Sequence, residues 1–112
     1  MHYKSLIGKR LLTISVDMAD AHVRDGVGFD IEGDPLPALF TSMSERSRLT
    51  SVEGELADLL EGNIETAMST SHYDNGTTYI ALLLATSAGR VVFTWEGHGY
   101  IPYDLDYVRG AL

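Results

Sequence analysis

Apolar and polar residues alternate along much of this chain, and alternation with a period of two predicts strands. Residues 6–17 open the pattern, with Leu12, Ile14 and Val16 on one face and Ile7 and Leu11 close by. Gly8 before Lys9 marks a turn or bulge. Residues 18–25 are polar and end in Asp25-Gly26, a hairpin-type dipeptide. Residues 27–32 then place Val27, Phe29 and Ile31 inward and Asp30 and Glu32 outward. Gly33-Asp34-Pro35 ends that strand, because proline cannot donate to a ladder. Residues 36–42 read as a third strand weakened by Pro37, and residues 44–51 fit either a loop or an edge strand.

Helical spacing is found in one place. Val52, Leu56, Leu59 and Leu60 recur as on one helix face, with Glu53, Glu55, Asp58 and Glu61 on the other, so residues 52–61 are expected to form a helix. Ser51 is its expected N-cap and Gly62-Asn63 its stop. Residues 64–69 make a short strand, placed at an edge, and Asp74-Asn75-Gly76 makes a turn. Residues 77–86 are apolar on both faces, with Ile80, Leu82 and Leu84 on one and Tyr79, Ala81, Leu83 and Ala85 on the other, the mark of a central strand. After a turn at residues 87–90, Val91, Phe93 and Trp95 share a face of the returning strand. Gly97-His98-Gly99 breaks it, and residues 100–108 close the chain as a short strand or an extended tail. The expected fold is α+β: a mostly antiparallel sheet of about five to seven strands with one short helix, in a single domain over residues 1–112.

Composition narrows the function more than it identifies it. The chain has 112 residues, 45% hydrophobic and 21% charged, which fits an ordered globular protein. Sixteen acids face eight bases, a net charge of −8, which argues against nonspecific nucleic-acid binding and against anionic membrane surfaces. There is no cysteine, so disulfides, thiolate metal sites and cysteine nucleophiles are excluded. No stretch approaches the roughly 20 apolar residues that span a bilayer, and residues 11–16 are too short and interrupted for a signal peptide. A soluble protein of the cytoplasm is expected.

The acids are unevenly spread. Residues 17–34 hold six carboxylates opposed only by Arg24, and Glu53, Glu55, Asp58, Glu61 and Glu65 are opposed by nothing within their span. Such segments either solvate a face or give it a negative potential that attracts a basic partner. Asp30, Glu32 and Asp34 alternate, so a continuous strand would point all three one way, as in a hard-cation site. An EF-hand loop is excluded: its sixth position holds Pro35 instead of glycine, and Thr41 stands where the bidentate glutamate belongs. A polar outer face is the better reading, with no metal or cofactor. His2, His22, His72 and His98 show no zincin spacing, and nucleophile-elbow, phosphate-loop and dinucleotide motifs are missing. His98, beside Glu96 and ahead of Asp104, reads as a water-exposed turn residue before it reads as an acid–base group. No catalytic residue is assigned, and an enzyme is not expected. Tyr100, Tyr103 and Tyr107, interleaved with Asp104 and Asp106, suit either a cover for the sheet or a recognition surface.

Four segments in order carry a family resemblance: Leu6-Ile7-Gly8-Lys9, the run from Gly54 to Ala67, the hairpin from Thr86 to Gly97, and Gly99-Tyr100-Ile101-Pro102-Tyr103. In these the chain resembles a family of small bacteriophage proteins that form a domain of unknown function. Members of that family carry a Cys-Cys-Glu run where Met43-Ser44-Glu45 stands here, so any thiol or metal role of that pair is absent. The resemblance implies a phage or prophage origin and a fold, with no activity attached.

The expected function is therefore a non-enzymatic, phage-encoded protein that binds a host protein with a basic surface, as an anti-defence inhibitor would. Its contact residues are expected among Asp30, Glu32, Asp34, Glu55, Asp58, Glu61, Tyr100, Tyr103, Asp104 and Asp106. Two alternatives stay open. One is a binder of a nucleotide signal, which needs Arg46, Arg48, Arg90 or Arg109 to converge. The other is a virion assembly protein whose sheet edges pair between copies, and a homo-oligomer is compatible with each reading.

Overall fold

A computed structural model of the chain describes residues 3–17, 26–42, 47–99 and 105–109. Among them, eight strands form two antiparallel four-stranded sheets. The first sheet joins β1 (Leu11–Asp17), β2 (Gly26–Ile31), β3 (Ala38–Ser42) and β8 (Leu105–Arg109) in the order β1-β2-β3-β8. The second joins β4 (Ser47–Glu53), β5 (Thr66–Asp74), β6 (Thr77–Thr86) and β7 (Gly89–His98) in the order β4-β7-β6-β5. No described helix is long and apolar enough to cross a membrane.

One hydrophobic core lies between the sheets. Val27, Phe29, Ile31, Ala38 and Phe40 come from the first; Leu49, Ala67, Ile80, Leu82, Leu84, Val91, Phe93 and Trp95 come from the second. Phe29 meets Phe93 edge-on across the gap, with ring centroids 6.3 Å apart, and Phe40 within its own sheet at 6.0 Å. The expected inward faces of β2, β6 and β7 are those that are buried. β6 is an interior strand, as its apolar faces predicted, and Asn75-Gly76 makes a two-residue hairpin with both φ values positive (49° and 83°). β5 is an edge strand, longer than expected; of the run read as loop or edge strand, residues 47–51 belong to an edge strand, β4, and residues 44–46 lie outside the described residues.

The expected helix over residues 52–61 is not formed, and no α-helix occurs among the described residues. Val52 and Glu53 instead finish β4, opposite Phe93 and Val92, and Leu56–Leu60 forms a 3₁₀ turn. Gly54 between them has φ +105°, outside the helical region. The apolar spacing that resembles a helix face is met another way. Leu56 and Leu59 stand three apart, as a 3₁₀ turn requires, and both pack on the core with Val52 and Leu60. Ser51 lies inside β4 and caps nothing; the residue before the turn is Glu55, without a side-chain cap.

β1 departs from the expected alternation. Leu11 pairs with Ile31 and Thr13 with Asp30, so Leu12 is the extra residue of a bulge. Leu11, Ile14 and Val16 point to the core, and Leu12 is left 51% exposed. The strands also exceed the number expected, because both β4 and β8 pair fully.

Two buried threonines bracket β6. Thr78 donates its hydroxyl to the Gly99 carbonyl at 2.6 Å, and Thr86 donates to the Asp58 carbonyl at 2.5 Å. Ser69, on the inward side of β5 opposite Leu82, has a buried Oγ with no hydrogen-bond partner. Desolvating an unpaired hydroxyl costs more than deleting it. Ser69→Ala is accordingly expected to raise the unfolding free energy by about 1 kcal/mol, read as a higher denaturant midpoint at unchanged slope; a lower midpoint would show that the hydroxyl has a partner in solution.

Candidate functional site

Backbone bonds gather much of the acidic sequence at one end of the two sheets. β2 ends at Ile31, and the next amide, Glu32 N–H, donates to the Arg10 carbonyl at 2.9 Å. Arg10 in turn bridges to Asn63, and Ile64 N–H donates to the Lys9 carbonyl at 2.8 Å. Asn63 follows the 3₁₀ turn that carries Asp58 and Glu61. That turn is held over the β6–β7 hairpin by the bond from Thr86 to Asp58. Glu65 N–H donates to the Ala85 carbonyl at 2.8 Å, which adds its side chain to the same end. Glu32, Glu55, Glu61 and Glu65 are exposed, and Asp58 is half-buried. Exposed bases at this end include Lys9, Arg10 and Arg90, so the acids are not alone.

Other expected contact residues lie apart from these or carry hydrogen bonds of their own. The Asp30 carboxylate accepts the Thr13 hydroxyl across the β1–β2 pair at 2.5 Å. Asp34 accepts the Leu36 amide at 3.2 Å and so stabilises the turn after Gly33. Asp30, Glu32 and Asp34 therefore do not share a strand face, because β2 stops before Glu32 and the chain turns. Among the described residues, no group of three or more histidines and carboxylates could hold a metal ion. Asp106 lies in β8, level with Thr41 and Gly26 at the start of β2. Its backbone is thus six residues along the sheet from Glu32, roughly 20 Å at strand rise. Its side chain, and all of Tyr100, Tyr103 and Asp104, lie outside the described residues.

Of the four arginines that a nucleotide site would need, the two whose side chains are described, Arg48 and Arg90, stand apart. Arg48 stands opposite Glu96 at one end of β7, and Arg90 sits six residues away on β7 itself, again roughly 20 Å. The Arg109 backbone pairs with Ala38 in the other sheet, and Arg46 lies outside the described residues. His98 is exposed at the end of β7.

One surface was not anticipated from sequence: the outward face of the second sheet. Tyr79, Ala81 and Leu83 of β6 lie beside Glu96, Thr94 and Val92 of β7. On the other side of β6 they lie beside His72, Thr70 and Met68 of β5. Met68 is 52% exposed, and His72 stacks on Tyr79 with centroids 6.3 Å apart. The signal was present in β6, whose second apolar face implied something beyond mere solvation. Its partners became visible only with the register.

No protein-family model, curated protein or solved structure matches this chain.

Proposed function

We propose that this chain is a non-enzymatic binding protein that docks its acidic end on a basic surface of another protein. The phage resemblance of its segments makes that partner a host protein, in keeping with an anti-defence inhibitor acting in the host cytoplasm. The observation that carries the reading is the convergence of Glu32, Glu55, Asp58, Glu61 and Glu65, brought from two distant stretches of chain by the Glu32–Arg10–Asn63 backbone links. Clustered charge steers association and weakens with salt, because exposed charges are screened over about 10 Å at ordinary ionic strength.

The test compares the wild type with a triple variant, Glu32→Gln, Glu55→Gln and Glu61→Gln, all at exposed positions where substitution leaves the fold intact. A host protein captured by the wild type is purified, and its association is measured with both proteins at low and high salt. The triple variant is expected to bind about tenfold more weakly or worse, chiefly through a slower on-rate, with a flatter salt dependence. Equal binding by both, at equal salt dependence, rules the acidic end out as the contact.

A further inference from the structure

We propose that the outward face of the second sheet is a self-association surface on which two copies pack with their β7 strands antiparallel, face to face. This face shares only Arg90 with the acidic end, and its test is separate, because it reads self-association and not capture of a partner.

The face is complementary to itself under a two-fold axis. Outward along β7 run Arg90, Val92, Thr94 and Glu96, a cation at one end and an anion at the other with neutral residues between; Arg48 of β4 stands beside Glu96 on the same face. Alongside on β6 run Ala85, Leu83, Ala81 and Tyr79. Two identical faces can meet through a half-turn about an axis lying in the interface. If that axis crosses the strands between the Ala81 and Leu83 rows, each strand lies on its own copy in reverse. Arg90 of one copy then faces Glu96 of the other, twice. Leu83 faces Ala81 and Tyr79 faces Ala85, so each large side chain meets a small one, as interdigitating layers require. On β5, Met68 likewise meets Thr70.

An axis parallel to the strands and midway between β6 and β7 sets β6 on β7. It would press Arg90 onto Ala85, Glu96 onto Tyr79 and Leu83 onto Val92, burying both charges against apolar groups at a desolvation cost. Charge therefore selects the first arrangement. Packed sheets normally cross at about 30°. The charged rows lie about 10 Å from the centre, three residues at strand rise, so a 30° crossing displaces them sideways by about 5 Å. Arginine and glutamate side chains are long enough to close that offset. The face measures roughly 20 Å by 20 Å from strand spacing and rise, about 800 Å² over both copies and so below the standard specific interface of roughly 1,200 Å² or more, which makes this a weak, transient dimer with dissociation at about micromolar or higher concentration.

The experiment is sedimentation of the full chain across a concentration series, for the wild type, Arg90→Glu, Glu96→Arg, and an equimolar mixture of the two variants. The wild type is expected to dimerise. Each variant alone places like charges opposite each other twice, and its dissociation constant should rise about tenfold or more. Mixed together, the Arg90→Glu copy brings two carboxylates and the Glu96→Arg copy two guanidinium groups, so every facing pair is again opposite and a heterodimer forms. That recovery also shows that both variants are folded. A wild type that stays monomeric up to millimolar concentration overturns the proposal. So does dimerisation unaffected by the single reversals, or a mixture that stays as monomeric as its components.

Discussion

Phe93→Ala is expected to lower the unfolding free energy by about 3–5 kcal/mol, the range for a fully buried phenylalanine. In a domain of this size that corresponds to a fall in Tm of roughly 12–20 °C. Phe93 is completely buried on β7, the strand that pairs with both β4 and β6. It is also the residue that meets Phe29 of the first sheet. Its removal opens a cavity that neither sheet can close, since the backbone on each side is held by a ladder. The same ring contact predicts a coupling. In a cycle with Phe29→Ala, the double variant should fall short of additivity by about 0.5–1.5 kcal/mol, the value of an edge-on aromatic pair. Chemical denaturation measures both quantities. A loss below about 1 kcal/mol with strict additivity would mean that the two sheets do not meet at these rings.

Gly54→Ala is expected to cost about as much, for a backbone reason. Gly54 adopts φ +105°, a conformation that strains an L side chain by about 1–3 kcal/mol. A Cβ there would also collide with the carbonyl oxygen of Arg90. That oxygen belongs to β7, where Arg90 is opposite Ala85 beside the hairpin turn, and it cannot retreat without disturbing the hairpin. Overpacking of this kind adds about 1–3 kcal/mol. Gly76→Ala separates the two causes, because Gly76 has φ +83° with nothing within 4 Å of a new Cβ. The denaturant midpoint should drop about twice as far for Gly54→Ala as for Gly76→Ala. Equal drops would leave conformation as the sole cause and remove the close approach to β7.

Gly54 also shows why residues 52–61 misled. A run with Val52, Leu56, Leu59 and Leu60 is compatible with a helix, and it is equally compatible with a strand end followed by a 3₁₀ turn. Nothing local separates the two. The decision comes from pairing of Val52 and Glu53 with Phe93 and Val92, forty residues further along the chain. Leu12 is a similar case. Alternation placed it with Ile14 and Val16, and a single bulge residue moved it to the solvent side. The acidic end was half legible: both acidic stretches are plain in the sequence, but their convergence depends on Arg10 bridging Asn63. Asp30 and Asp34 read as surface charge, and the hydrogen bonds that occupy them appear only once Thr13 and Leu36 are placed.

The order of residues alone was enough to determine the inward faces of β2, β6 and β7 and the Asn75-Gly76 turn. These follow from the two-residue repeat of a strand and from φ preferences, which act between near neighbours. It was enough, too, to establish the surplus of carboxylates. Only the tertiary structure decided that β4 lies against β7, that the helix-like run is a strand and a 3₁₀ turn, and that Arg90 and Glu96 close opposite ends of one outward face. Those outcomes depend on contacts between residues far apart in the chain, and short-range periodicity carries no information about which distant strand fills the neighbouring place in a sheet.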